Sequence, residues 1–313
     1  MDDNSQTPEE VEQATGMGDI PQSIMEKMDD ASYSMPDGEE EQIEEGWTRV
    51  GKGKGRPPAF IHGVNPFIRD YTLNKLRADF DSKTRRWRAS RCRKAVLQIL
   101  NKQQPDDGWQ IGNAVCLATG SYCRDNWQSR QRSVMQFVAF ADIVGHLQSK
   151  QSAEFSSYAQ EPQYTPLDKA FLTSLNVTPL DRALAGEQNL GLGAATQYLN
   201  PSTFIFEPFM DLGVDSMRDL FSADVRLYIG SSMRRWTDDS RRSDEEVRRG
   251  LRQTFKVRDE EISEQNIESI RTQSSQAVKF VQSRRSYRFP RFEDDPNVFE
   301  GLAIFWKEPQ DEA

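Results

Sequence analysis

The sequence predicts an α/β fold: a doubly wound, mostly parallel sheet with helices on both faces, behind a disordered acidic N-terminus. Three observations carry this. Short apolar runs near 113–118, 155–159, 177–180, 203–206 and 225–229 alternate with helical patterns. The run Ala114-Val115-Cys116-Leu117-Ala118 is almost continuously apolar, which suits a parallel strand covered on both faces. It ends abruptly in Gly120-Ser121, and a long amphipathic stretch follows.

The 313 residues suffice for one large domain or two small ones. The net charge of −9 conceals a division. Residues 1–46 hold 15 Asp/Glu and one Lys, a net of −14, which leaves 39 Lys/Arg and 34 Asp/Glu in 47–313, a net of +5. Residues 1–46 lack apolar periodicity and read as disordered. Residues 47–65 read as a Gly-rich basic arm, with Trp47 and the cations Arg49, Lys52, Lys54 and Arg56. An α/β domain is expected over 66–308, with its core at 112–236, a charged solvent-facing helical excursion at 233–276 and a tail at 309–313. No apolar run approaches the roughly 20 residues of a membrane helix. Three cysteines without a C-x-x-C pair argue against a disulfide framework and for a reducing compartment, cytoplasmic or nuclear. With His62 and His146 the only histidines, neither a metal site nor a hydrolytic triad is expected.

Taken in order, residues 66–104 read as one or two helices, with Cys92, Val96, Ile99 and Leu100 on one stripe. Within them, Arg85–Lys94 holds six cations and Trp87. The run could grip phosphates and stack on bases, but a solvated helix face is the commoner use. The strand near 113–118 comes next. Asp125 with Gln128 signals a helix start, and the helix is expected to run to about Gln148. After the second strand, Thr165 is expected as an N-cap, with Pro166 at the first helical position and Asp168 in the first turn. Gly191–Thr196 resembles a phosphate loop, yet it lacks a preceding strand and a following Lys and reads as a connection. The fourth strand ends in Glu207-Pro208. The fifth is expected to stop before a Gly230-Ser231-Ser232 turn. Asp238–Glu246 reads as a loop between helices, Lys279–Phe289 as extended, and Leu302–Trp306 as a closing strand.

Together these pieces give a Rossmann-like order in which ligands sit outside the carboxyl ends of the strands. Gly120, Ser121, Glu161, Thr165, Glu207, Gly230 and Ser231 are expected to rim one crevice there. Glu161 and Glu207 are its candidate acid/base groups, provided burial raises their pKa. Gly120-Ser121 could offer backbone N–H groups to an anion. The full glycine fingerprint of dinucleotide sites is absent, so Glu161 is not expected to hold a ribose.

These residues resemble the sensitivity-to-red-light-reduced (SRR-like) family, and fungal members in particular, over roughly residues 112–236. The family's Gly-x-Gly-Ser turn looks like Ala118-Thr119-Gly120-Ser121. Its Tyr-Asp-Pro-x-Phe-type motif looks like Glu161-Pro162-Gln163-Tyr164-Thr165. Its Met-Pro-His-Cys turn falls at Glu207–Met210, and its Ile-Gly-Asn-Ser turn at Ile229–Ser232. Trp47–Arg56 and Leu302–Trp306 echo its ends. The sequence departs from the family at Ala118, Glu161, Phe209, Met210 and Ser231, and the His and Cys of the third motif are lost. The resemblance implies a regulatory role: circadian and light signalling, control of tetrapyrrole or haem synthesis, or microtubule-linked phenotypes. The chain has no Cys-Pro pair and its histidines lie away from these motifs, so no tight axial ligation of haem is expected and no cofactor is assigned.

Three readings follow. The first is a non-enzymatic regulatory or scaffolding protein with protein partners. The second is a nucleotide- or small-metabolite-binding enzyme using the crevice. The third is a nucleic-acid-associated protein using Arg49–Arg56 and Arg85–Lys94. Overall acidity and the absence of a reader motif weigh against the third.

Overall fold

The fold is that of a computed structural model, in which the described residues are 66, 68–124, 126–181, 191–210, 212–255 and 262–307. The segments 1–46 and 47–65, Asp125 and the tail 309–313 lie outside them.

Two helices open the described chain, α1 (Leu73–Ala89) and α2 (Arg91–Lys102). They are separate because Ser90 leaves the helical conformation and caps α2, its Oγ accepting from the Arg93 N–H. Then come β1 (Asn113–Leu117), α3 (Trp127–Gln148), β2 (Ser156–Gln160), α4 (Pro166–Thr173) and β3 (Val177–Leu180). A 3₁₀ turn at Gly193–Tyr198 leads to β4 (Thr203–Glu207), α5 (Val214–Ser222) and β5 (Leu227–Ser231). The chain closes with α6 (Arg234–Asp239), α7 (Asp244–Phe255), α8 (Glu264–Gln282), β6 (Arg285–Arg288) and β7 (Leu302–Trp306).

The seven strands form one sheet in the order β3-β2-β1-β4-β5-β7-β6. The first five are parallel, and β7 and β6 are antiparallel additions at one edge. From β1 the chain moves outward through β2 to β3, then returns to the other side of β1 as β4. The switch point therefore lies between β1 and β4.

Both faces of the sheet are covered, and the strand residues alternate between two cores. Ala114, Cys116, Phe204, Phe206 and Ile229 pack with α1 to α4. Val115, Leu117, Ile205, Tyr228 and Phe305 pack with α5, α6 and α8. The N-cap of α3 is Asn126, whose side chain accepts from the Ser129 N–H at 3.1 Å. That is one residue later than the Asp125 signal suggested.

Three local expectations are corrected. Gly230 and Ser231 do not form a turn but continue β5, pairing with Ala303 and Leu302. Lys279–Gln282 are not extended. They are the last turn of α8, which a capping box at Ser263 starts and which Ala277 and Phe280 anchor on the second core. Asp238 and Asp239 end α6 and Asp244–Glu246 begin α7, so the connection between them is only 240–243. The charged stretch expected to face solvent thus supplies part of the cover of the sheet.

Candidate functional site

A cleft of about 370 Å³ lies at the carboxyl ends of β1 and β2. Thr119, Gly120, Glu161 and Phe209 come from the loops after β1, β2 and β4. Ser129, Arg132, Ser133 and Gln136 come from one face of α3, at the i, i+3, i+4, i+7 spacing of a helix. The fold therefore puts a crevice where an open α/β sheet is expected to have one.

Ala118 holds φ at 55°, a left-handed conformation unusual for a residue with a Cβ. Gly120 has φ +78°, and a Cβ there would come within 2.8 Å of Ser133 Oγ. This glycine is required both by the turn and by the closeness of the loop to α3.

The loop's backbone donors point at the chain's own carboxylates. Glu161 Oε2 accepts from the Gly120 N–H at 3.0 Å, and its Oε1 from the Gln163 N–H at 3.0 Å. Asp168, fully buried, accepts from Ser121 Oγ at 2.7 Å, the Tyr122 N–H at 2.9 Å and the Thr165 N–H at 2.8 Å. The last bond belongs to the capping box of α4, in which Thr165 Oγ1 accepts from the Asp168 N–H in return. Beneath the loop, the hydroxyls of Thr119, Tyr122 and Tyr164 form a closed ring of hydrogen bonds at 2.8 to 3.1 Å.

Glu207 sits at the end of β4, also fully buried. Its carboxylate accepts from the Tyr228 hydroxyl at 2.7 Å, the Ser231 N–H at 3.2 Å and the Met210 N–H. Burial pushes its pKa up to about 7, against the pull of these three donors. Gly230 serves this arrangement. A Cβ on it would meet the Tyr228 ring at 2.5 Å, so its bare backbone is what lets Tyr228 lie along the strand toward Glu207.

Of the seven expected crevice residues, Gly120 and Glu161 line the cleft. Ser121 and Thr165 stand behind it in the Asp168 network. Glu207, Gly230 and Ser231 form a separate buried cluster around the end of β4. Asp168 does more than start a helix, and Arg132 and Gln136 join the cleft without having been expected there. Their signal was available in the helical spacing of 129, 132, 133 and 136.

Part of the Arg-rich run is engaged by the fold itself. Trp87 is buried, and its indole N–H donates to Asp142 at 3.0 Å, so it is not presented for stacking on bases. Arg93 and Arg88 both pair with that same Asp142, and Arg86 with Asp294. His146 hydrogen-bonds Asn101 at 3.0 Å on the outside of α3. Among the described residues, no group of three or more His, Cys, Asp or Glu is placed to hold a metal ion, and no helix is long and apolar enough to cross a membrane.

A model of the SRR1 domain matches residues 93–306, from the first turn of α2 to the end of β7. No curated protein and no solved structure gives a significant match. With two thirds of its length covered, the chain belongs to the SRR1-domain family.

Proposed function

We propose that this protein is a non-enzymatic regulatory or scaffolding module acting through protein partners. One observation carries the reading. The carboxylates at the strand ends that could act as general acids or bases are engaged as acceptors for the fold's own donors: Glu161 for the β1 loop, Asp168 for that loop and α4, and Glu207 for the end of β5. A catalytic acid or base needs an exchangeable proton within reach of a substrate. Glu161 and Asp168 instead face backbone N–H groups whose partners cannot leave without cost, and Glu207, although burial raises its pKa to about 7, is fully buried against the Tyr228 hydroxyl and two backbone N–H groups, out of reach of a substrate. Cys92, Cys116 and Cys123 are free and buried, which suits a reducing cytoplasm or nucleus.

A second reading, a small-metabolite site in the switch-point cleft, is favoured by one feature. Arg132 and the half-exposed Phe209 ring face a common space there. It concerns binding and does not require Glu161 to act on a substrate.

Glu161→Gln separates structural from catalytic use without knowledge of any substrate. An amide turns a donor toward one of the two N–H groups, so a loss of about 1–2 kcal/mol in unfolding free energy is expected. Residues kept for chemistry rather than stability give unchanged or more stable proteins when neutralised. An unfolding midpoint equal to or above that of the parent would overturn the structural assignment.

A further inference from the structure

A second cavity, of about 310 Å³, adjoins the switch-point cleft on the other side of Arg132. Its walls are α1, the first turns of α3 and the segment before β7. Six residues matter to what it can hold: Lys83, Arg86, Trp127, Arg132, Asp294 and Asp295.

Three observations converge on it. First, Trp127 is 65% exposed. The described residues contain three large exposed hydrophobic side chains, Trp127, Phe209 and Tyr287, and two of them line the pair of cavities that share Arg132. An indole left in water at the mouth of a cavity is a stacking surface without a partner.

Second, the guanidinium of Arg132 is loosely held. Its ion pair with Asp295 spans 3.7 Å, and among the described residues it makes no hydrogen bond. By contrast, Arg86 grips Asp294 with two nitrogens, at 3.0 and 2.9 Å. The five donors of Arg132 are therefore available to a flat, multidentate anion.

Third, Lys83 is a buried cation, its side chain only 5% exposed. Its ammonium donates to Asp79 Oδ1, although an ammonium carries three donors. A buried charge with an incomplete shell at a cavity wall is costly, and an anion entering the cavity would complete it.

We infer that this cavity binds an aromatic anion of mononucleotide size, its ring stacked on Trp127 and its anionic group held by Arg132 with Lys83. Asp295 stands where it can yield Arg132 to the stronger ligand, and Asp294 keeps Arg86 in place as the wall. The volume lies in the range of small-ligand sites. The site is separate from Glu161 and Glu207, so it stands whether or not those groups are structural.

Titration of the full-length chain with AMP, UMP and 4-hydroxybenzoate, followed by calorimetry, tests this. The nucleotides distinguish a phosphate from the carboxylate of the third probe. Saturable binding of at least one probe is expected. Trp127→Ala and Arg132→Gln, both at exposed or half-exposed positions, should each weaken it roughly tenfold or more while leaving the unfolding midpoint unchanged. Absence of saturable binding at millimolar concentrations of all three probes overturns the inference. So does binding that both variants leave intact.

Discussion

Replacing Asp168 with Ala should lower the unfolding free energy by about 3–5 kcal/mol, the largest single-site effect expected outside the apolar cores. The reason is the number of donors that would be stranded. Ser121 Oγ and the N–H groups of Tyr122 and Thr165 all point at this carboxylate, and Asp168 is fully buried. Alanine leaves three buried donors without acceptors and removes a negative charge from the first turn of α4, where the helix dipole favours one. The damage should extend beyond one helix, because Asp168 ties the loop after β1 to the start of α4. Asp168→Asn keeps the shape and one acceptor oxygen, and should lose about half as much. Urea unfolding reports both, as a lower midpoint at unchanged slope. A midpoint for Asp168→Ala within error of the parent would mean that water replaces the carboxylate and that the network is not structural.

The second large effect is a pH dependence centred on Glu207. Its folded pKa is pushed up to about 7 from an ordinary value of 4.5, chiefly by burial. Between those two pH values the unfolded chain has released the proton and the folded chain still holds it. Stability therefore falls as pH rises from about 4.5 to 7, and the loss, about 3 kcal/mol, is complete above that range. The Tyr228 hydroxyl can accept as well as donate, which lets the site accommodate a protonated carboxyl. His146 works in the opposite sense. Burial lowers its pKa, so its contribution to stability rises with pH toward 6.5. The difference between the parent chain and Glu207→Gln cancels His146 and isolates Glu207. The variant should show a flatter stability profile between pH 5 and 8. Parallel profiles would mean that Glu207 ionises at its ordinary pH, with the three donors outweighing burial.

Much of this architecture is legible in the residues, for physical reasons. Strands β1 and β4 carry consecutive apolar residues, Ala114–Leu117 and Phe204–Phe206, because both faces are buried, and that continuity marks them. The Thr165-Pro166-x-Asp168 start of α4 is a local motif that tertiary context leaves intact. Gly230 shows where local reading fails. A glycine after an apolar run signals a turn, yet here it is bare so that Tyr228 can cross it, a demand set by a side chain two residues away and a carboxylate on β4. Trp127 carries no local signal of its exposure. It stands seven residues before the buried Val134, and only the packed fold shows that it lies at the surface. A cleft lies at the strand ends, but the seven residues expected to rim it split into a cleft wall and two buried networks. Spacing along the chain identifies residues that approach the same sheet edge. It does not say whether a carboxylate there turns toward solvent or toward a backbone N–H.

The β1 loop's donors, which a nucleotide-binding sheet would turn toward a phosphate, are engaged by Glu161 and Asp168. The backbone amide signals of Gly120 and Tyr122, followed by NMR in the full-length chain, report on this engagement. NAD⁺, S-adenosylmethionine and pyrophosphate would be added in turn. Both signals are expected to stay in place at saturating ligand, whatever happens at the Trp127 indole. A saturable shift of the Gly120 amide would contradict it and make the strand-end loop a phosphate site.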